Sequence, residues 1–300
     1  MEATHTADVP AHLYPFAEHR ARIGGLEMHY VDEGKGHPVV MVHGNPTWSF
    51  YWRDLIQAIK GDCRAIAPDH IGMGLSAKPS REQYPFTLAR RTEDFAAFMD
   101  SLGLTEPVTL VMHDWGGMIA TTWAVDHPER VARMVVLNTA AFLLPPGRSL
   151  PAALAIARSK PFGELAVRGL NAFASAATHV AVKRARMPED VRRGYLAPYD
   201  SWANRLSVFE FVNDIPLTPS DRSYRAVTRV TEKLHVLRDK PMLIFWGGQD
   251  FVFNAPFLEE WRKHFPNAEV HEYPDAGHFV LEDASNEIIP HVRRFLGLAP

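Results

Sequence analysis

The chain has 300 residues, 46% apolar and 22% charged, with a formal charge of −3, a composition suited to a globular protein with a sizeable core. That charge is unlike the concentrated basic patch of a nucleic-acid binder, and no run of ~18 apolar residues offers a membrane span. A single cysteine, Cys63, excludes an internal disulfide and a cysteine-based metal site.

The first twenty residues contain no apolar run of signal-peptide length, so a cytoplasmic protein is expected. Leu26 to Val31 and Pro38 to Val42 read as strands, the second running into HGNPTW at His43 to Trp48. A helix is predicted from about Ser49 to Lys60, then a strand from Arg64 to Ala67, the glycine-rich turn PDHIGMGLS, and a helix from Thr87 to Leu102. Pro107 to Met112 is a short apolar, β-branched run that HDWGG and the helix-like MIATTWAVDHPER follow. A buried parallel strand, a sharp turn and a helix are the natural reading, with Asp114 at the tip of the turn. Val131 to Leu137 is a further strand.

From about Phe142 to Arg238 no buried strand is predicted, but helix-like stretches are, including Gly163 to Val182 and Ser201 to Val212. The strand-helix rhythm then returns with strand Met242 to Trp246, a helix near Pro256 to His264, strand Glu269 to Tyr273 and a closing helix from about Ile288 to Leu296. Alternation at this spacing argues for βαβ units and a mostly parallel sheet flanked by helices. We expect residues 1–141 and 239–300 to form one main domain and residues 142–238 a helical cap. The cap would lie over the C-terminal strand ends, where open α/β sheets bind ligands.

Three ionisable residues stand at such ends: Asp114 after PVTLVMH, Asp250 after MLIFWGGQ and His278 after the strand in EVHEYPDAG. Their order is that of nucleophile, acid and histidine in the α/β-hydrolase fold, whose nucleophile sits on a strained strand-to-helix elbow. An ordinary N-cap aspartate would explain Asp114 alone. Three such residues at three strand ends favour catalysis. An aspartate with the usual pKa of ~3.9 is already ionised at neutral pH, which leaves His278 to activate water while Asp250 fixes its tautomer. A carboxylate nucleophile suits displacement at a saturated carbon. Oxyanion or leaving-group binding falls to the Trp115 indole and the Asn45 amide, or to their backbone N–H groups. The fifteen histidines show no zinc spacing, and neither a metal nor a cofactor is expected.

HGNPTW, DHIGMGLS and HDWGG, with Asp250 and His278, resemble the haloalkane dehalogenase family over nearly the whole chain. The resemblance implies an α/β-hydrolase fold with the cap inserted after its sixth strand. It assigns Asp114 as nucleophile, His278 as base, Asp250 as acid, and Asn45 and Trp115 as halide-holding donors. Thr139 rather than an acid follows VVLN, as in subgroups whose acid follows the later strand. Epoxide hydrolases share the elbow and use two cap tyrosines; Tyr195 and Tyr199 are available, but Asn45 argues against that reading.

In the cap, NTAAFLLPP, RMPEDVRRGYLAPYDSWANR and FVNDIPL resemble the β-lactone decarboxylases of bacterial long-chain olefin biosynthesis, a branch of the dehalogenase family. That branch converts cis-3,4-dialkyl β-lactones (oxetan-2-ones) into cis-alkenes and carbon dioxide. The resemblance implies a hydrophobic small-molecule substrate and an assembly with upstream olefin-biosynthesis enzymes. Leu165, Leu170, Phe173, Trp202, Phe209 and Phe211 would suit long alkyl chains, or form the cap's own core. LAVRGLNAFASAATHVAVKRAR reads as an amphipathic surface helix with a basic end, able to touch a membrane or partner, or as a helix packed on the main domain. Two other classes stay open: haloalkane hydrolysis, and a non-catalytic binding protein on the same scaffold.

Overall fold

The computed structural model describes residues 9–299; residues 1–8 of the twenty-residue N-terminal segment without a signal-like run lie outside the described residues. Eight strands form one sheet in the order β1-β2-β4-β3-β5-β6-β7-β8: β1 (His19–Ile23), β2 (Leu26–Glu33), β3 (Pro38–Val42), β4 (Arg64–Pro68), β5 (Val108–Asp114), β6 (Val131–Thr139), β7 (Met242–Gly247) and β8 (Glu269–Tyr273). The β1–β2 and β2–β4 pairs are antiparallel and the others parallel. Val40 registers with Leu110, Leu110 with Met134, Val136 with Ile244 and Ile244 with Val270. Every residue of β3, β5 and β7 is buried, because helices cover both faces of a parallel sheet and leave no polar side to alternate with.

Helices α1 (Arg53–Ile59), α2 (Leu88–Ser101) and α3 (Trp115–Ala124) precede β6. Thr87 caps α2, its side chain accepting from the Arg90 N–H at 3.3 Å. Ser49 to Trp52, expected as the first turn of α1, is a separate 3-10 turn. The polar strand β1, HRARI, was not expected, since its inward face carries only Ala21 and Ile23 as apolar residues, alternating with exposed Arg20 and Arg22, and only Ile23 is fully buried.

Among the described residues, no strand lies between Thr139 and Met242. That stretch holds α4 (Ala152–Arg158), the single turn α5 (Phe162–Glu164) running into a π-turn at Leu165–Gly169, α6 (Ala172–Val180), α7 (Glu189–Leu196), α8 (Leu206–Asn213) and α9 (Tyr224–Lys233). The helix expected over Gly163 to Val182 is therefore broken, and Asn171 adopts a left-handed conformation (φ 52°) at the break. The expected Ser201 to Val212 helix begins only at Leu206. After β7 come α10 (Ala255–His264) and α11 (Val280–Phe295). The last starts eight residues before the expected Ile288 and is kinked at Ala284, so its polar first half hid the periodicity. Glu282 and Asp283 in its first turn complement the helix dipole.

Candidate active site

Asp114 ends β5 and precedes α3 with φ 52° and ψ −128°, a conformation a non-glycine residue holds only when its surroundings impose it. The turn can be this tight because a Cβ on Gly116 would collide with the backbone carbonyl of Val42. A Cβ on Gly44 would strike the Asp114 carboxyl, so the HGNP loop can lie directly over the elbow. The Asn45 N–H donates to Asp114 Oδ1 at 2.6 Å, and the Trp115 N–H binds the same carboxyl. Thr139 donates its hydroxyl to the Asp114 carbonyl, which ties the elbow to the end of β6.

The residues expected after β7 and β8 meet this carboxyl. His278 Nδ1 donates to Asp250 Oδ2 at 2.7 Å, and its Nε2 lies 3.6 Å from Asp114 Oδ2. All three side chains are buried. Asp250 also accepts from Asn138 Nδ2 at 3.0 Å and from the Val252 N–H at 2.7 Å. Asn138 in turn accepts from the Gly247 N–H at 2.7 Å and donates to the Gly247 carbonyl at 3.1 Å. A buried carboxylate needs this many donors to stay charged. Asn138 was not singled out from sequence; its one signal is its place beside Thr139 at the end of a strand.

The electrostatics differ from the expectation of an ordinary aspartate. Burial raises the pKa of Asp114, and the opposing pull of His278 and of the Asn45 and Trp115 N–H groups does not cancel it. For His278, burial disfavours the cation, but Asp250 and then Asp114 outweigh it, and the pKa lies above the usual histidine value.

His113, also missed, precedes the elbow. Its Nε2–H donates to the His278 carbonyl at 2.9 Å, and its ring lies between Tyr51 and His278, with centroids 4.5 and 4.6 Å away. Burial first, and His278 second, push its pKa well below the usual value, so this neutral ring is a fixed donor.

Asp114, His278, Asn45 and Trp115 line a cavity of about 520 Å³ whose walls include Met118, Phe142, Leu154, Phe173, Val212 and Phe257. Asn45 Nδ2 donates one hydrogen to the Val208 carbonyl at 3.1 Å, which leaves the amide a second one. The Trp115 ring is steadied by Phe211 at 5.3 Å. Of the six apolar residues expected to suit an alkyl chain, Phe173 lines the cavity, Phe209 and Phe211 are fully buried, and Leu165, Leu170 and Trp202 face solvent.

Tyr195 donates to Glu282, and Tyr199 to the Thr47 carbonyl at 3.3 Å. Neither lines the cavity, so the pair cannot activate an epoxide at Asp114. Glu269, His271 and His291 form the one group of metal-capable side chains among the described residues. They lie on β8 and α11 outside the cavity, with His291 Nδ1 already bonded to Arg294 at 2.6 Å.

An acidic residue on a strand-to-helix elbow, met by a histidine and an acid that follow the last two strands, is the arrangement of an α/β-hydrolase-fold protein. The chain belongs to the α/β-hydrolase family, whose model matches residues 37–285. It is 51% identical over 284 residues, 95% of this chain and 89% of the relative, to the cis-3-alkyl-4-alkyloxetan-2-one decarboxylase of Shewanella oneidensis. It is 32% identical over 277 residues, 92% of this chain and 93% of the relative, to haloalkane dehalogenase 2 of Mycobacterium bovis. Among solved structures, the haloalkane dehalogenase DatA from Agrobacterium tumefaciens superposes with a TM-score of 0.82 at 26% identity, covering 94% of this chain and 96% of that one.

Proposed function

We propose that this protein decarboxylates cis-3-alkyl-4-alkyl β-lactones to cis-alkenes and carbon dioxide, with Asp114 as nucleophile. The observation that carries the reading is the 51% identity, over nearly the whole chain, to a protein named for this reaction. The apolar cavity above the Asp114 carboxylate supports it. In this reading residues 142–238 are a cap on a main domain of residues 1–141 and 239–300. A cytoplasmic location and an assembly with the enzymes that supply the lactone belong to the same proposal and rest on the resemblance.

Chemistry selects the route. Attack of Asp114 on the saturated ring carbon C4 breaks the C4–O bond, forms an alkyl ester and releases the lactone carboxyl as a carboxylate. The C3–carboxylate bond then breaks, its electron pair forms the alkene, and Asp114 leaves as a carboxylate with carbon dioxide. Inversion in the first step followed by anti elimination in the second makes a cis-lactone give a cis-alkene. Attack at the ring carbonyl would instead require a hydroxide-like group to leave from C4. Asn45 and Trp115 receive the carboxylate that the ring releases, as they would receive a halide. No water is consumed, and His278, held by Asp250, offers positive charge beside the nucleophile.

Haloalkane hydrolysis is the second reading, because the same five side chains serve it and a dehalogenase is 32% identical. Incubation with a cis-3,4-dialkyl β-lactone and, separately, with 1-bromo- and 1-iodoalkanes decides between them. Alkene measured by gas chromatography, lost in Asp114→Ala, with little halide release is the expected result. Rapid halide release without alkene would make the protein a dehalogenase, and inertness toward both would favour a binding protein.

A further inference from the structure

We infer that the outer face of the α4–α6 segment is a docking surface for a lipid bilayer containing anionic lipids. Five large apolar side chains are exposed there: Ile156 (64%), Phe162 (77%), Leu165 (58%), Leu170 (75%) and Trp202 (46%). They are contiguous. Phe162 and Leu165 are one turn apart, and the Leu170 N–H closes the π-turn on the Leu165 carbonyl at 3.2 Å. Leu165 and Trp202 both flank Gly169, and the Ile156 carbonyl packs on Gly163. A monomeric protein rarely leaves so many large apolar groups together without a use for them.

Charge selects the occupant. Residues 152–205 hold nine Lys and Arg against four Asp and Glu in a chain whose total charge is −3, with Lys183, Arg184, Arg186, Arg192 and Arg193 following α6 and the other four beside the patch. Around the patch stand Lys160, Arg158, Arg168, whose guanidinium lies 4.2 Å over the Trp202 ring, and Arg205, which donates to the Arg168 carbonyl at 2.7 Å. The local carboxylates are Glu164, paired with Arg168 and Arg81, Asp221, paired with Arg158, and Asp200, bonded to Asn204. Exposed apolar groups flanked by cations such as Lys160 and Arg205 are the footprint of an interfacial anchor on an anionic membrane. The placement gives it a purpose. The same helices line the cavity with Ala152, Leu154, Phe173 and Ala177, so one layer of helix separates the apolar surface from the nucleophile. The inference rests on the lactone reading, since a dialkyl lactone and its alkene partition out of water into lipid.

The test is flotation of the full chain with vesicles of phosphatidylcholine alone or with added phosphatidylglycerol. We expect flotation with the anionic vesicles, reduced by at least about tenfold in Phe162→Ser/Leu165→Ser/Leu170→Ser, with turnover of a short, water-soluble β-lactone unchanged. Brominated lipid should quench tryptophan emission in the wild type and much less in Trp202→Phe, a variant that keeps the apolar surface. Wild type that stays unbound, a triple variant that floats equally, or a patch that instead governs self-association or the capture of another enzyme would overturn the inference. Failure to turn over the short lactone would count against the decarboxylase reading alone, because flotation does not depend on it.

Discussion

The imidazole of His113 donates through Nε2–H to the main-chain carbonyl of His278 at 2.9 Å, joining the residue before the candidate nucleophile to the candidate base. Since β5 carries His113 and the loop after β8 carries His278, this bond sets the position of the base relative to Asp114 across two strands that are not neighbours.

His113→Phe keeps the ring stacked on Tyr51 and removes the donor. A misplaced base costs rate rather than binding, so kcat should fall by roughly 10–100-fold with KM nearly constant, and His113→Gln, with an amide donor, should recover part of it. Steady-state kinetics on the lactone measure the split, and an equal rise in KM would contradict a positioning role.

Asp114→Asn should abolish turnover and leave the protein at least as stable as the wild type. The folded pKa of Asp114 is raised, so its ionised form opposes folding. The variant's advantage should be absent at acid pH and grow as pH rises through that folded pKa. Thermal melts between about pH 4 and 8 test this.

The two chemistries should differ in pH profile. Lactone opening needs ionised Asp114, so alkene formation should fail as pH drops through the folded pKa of Asp114, which burial raises from the ordinary aspartate value. Haloalkane turnover needs neutral His278 to activate water. In the ester intermediate Asp114 is uncharged, but Asp250 still raises His278. The acid limb of kcat for a haloalkane should therefore lie above the usual histidine value of ~6.5. In stability the sign reverses: His278 contributes fully below that value and loses its contribution as pH rises through its folded pKa.

In ¹⁸O-water, peptide mass spectrometry should find no label in Asp114 after many cycles of alkene formation, because C4 attack and decarboxylative elimination return both carboxylate oxygens to the enzyme. Haloalkane turnover should label Asp114, since water attacks the ester carbonyl. Label acquired during alkene formation would rule out the elimination route.

Much of the fold was legible because parallel strands buried on both faces appear as short apolar runs, as in β3, β5 and β7, and glycines mark the tight turns between them. The edge strand β1, half exposed and polar, has no such pattern. The helical segment was read less well because its long apolar stretch is interrupted at Asn171, a backbone choice that neighbouring packing decides.

The sequence by itself determined which groups the site could contain. Asp114, Asp250 and His278 each follow a readable strand, and the end of a parallel strand is a position that chain order alone supplies. Only the tertiary structure decided what those groups experience. The raised pKa of Asp114 comes from burial, the charge on His278 is favoured by Asp250, and the donors from Asn138 and His113 arrive from other strands. It likewise sorted equivalent apolar side chains into cavity wall, core and surface, placing Phe173, Phe211 and Leu170 in three environments. Local patterns record the direction of the chain and the period of its side chains. Burial and the direction a helix faces depend on elements distant in sequence, and no local pattern carries them.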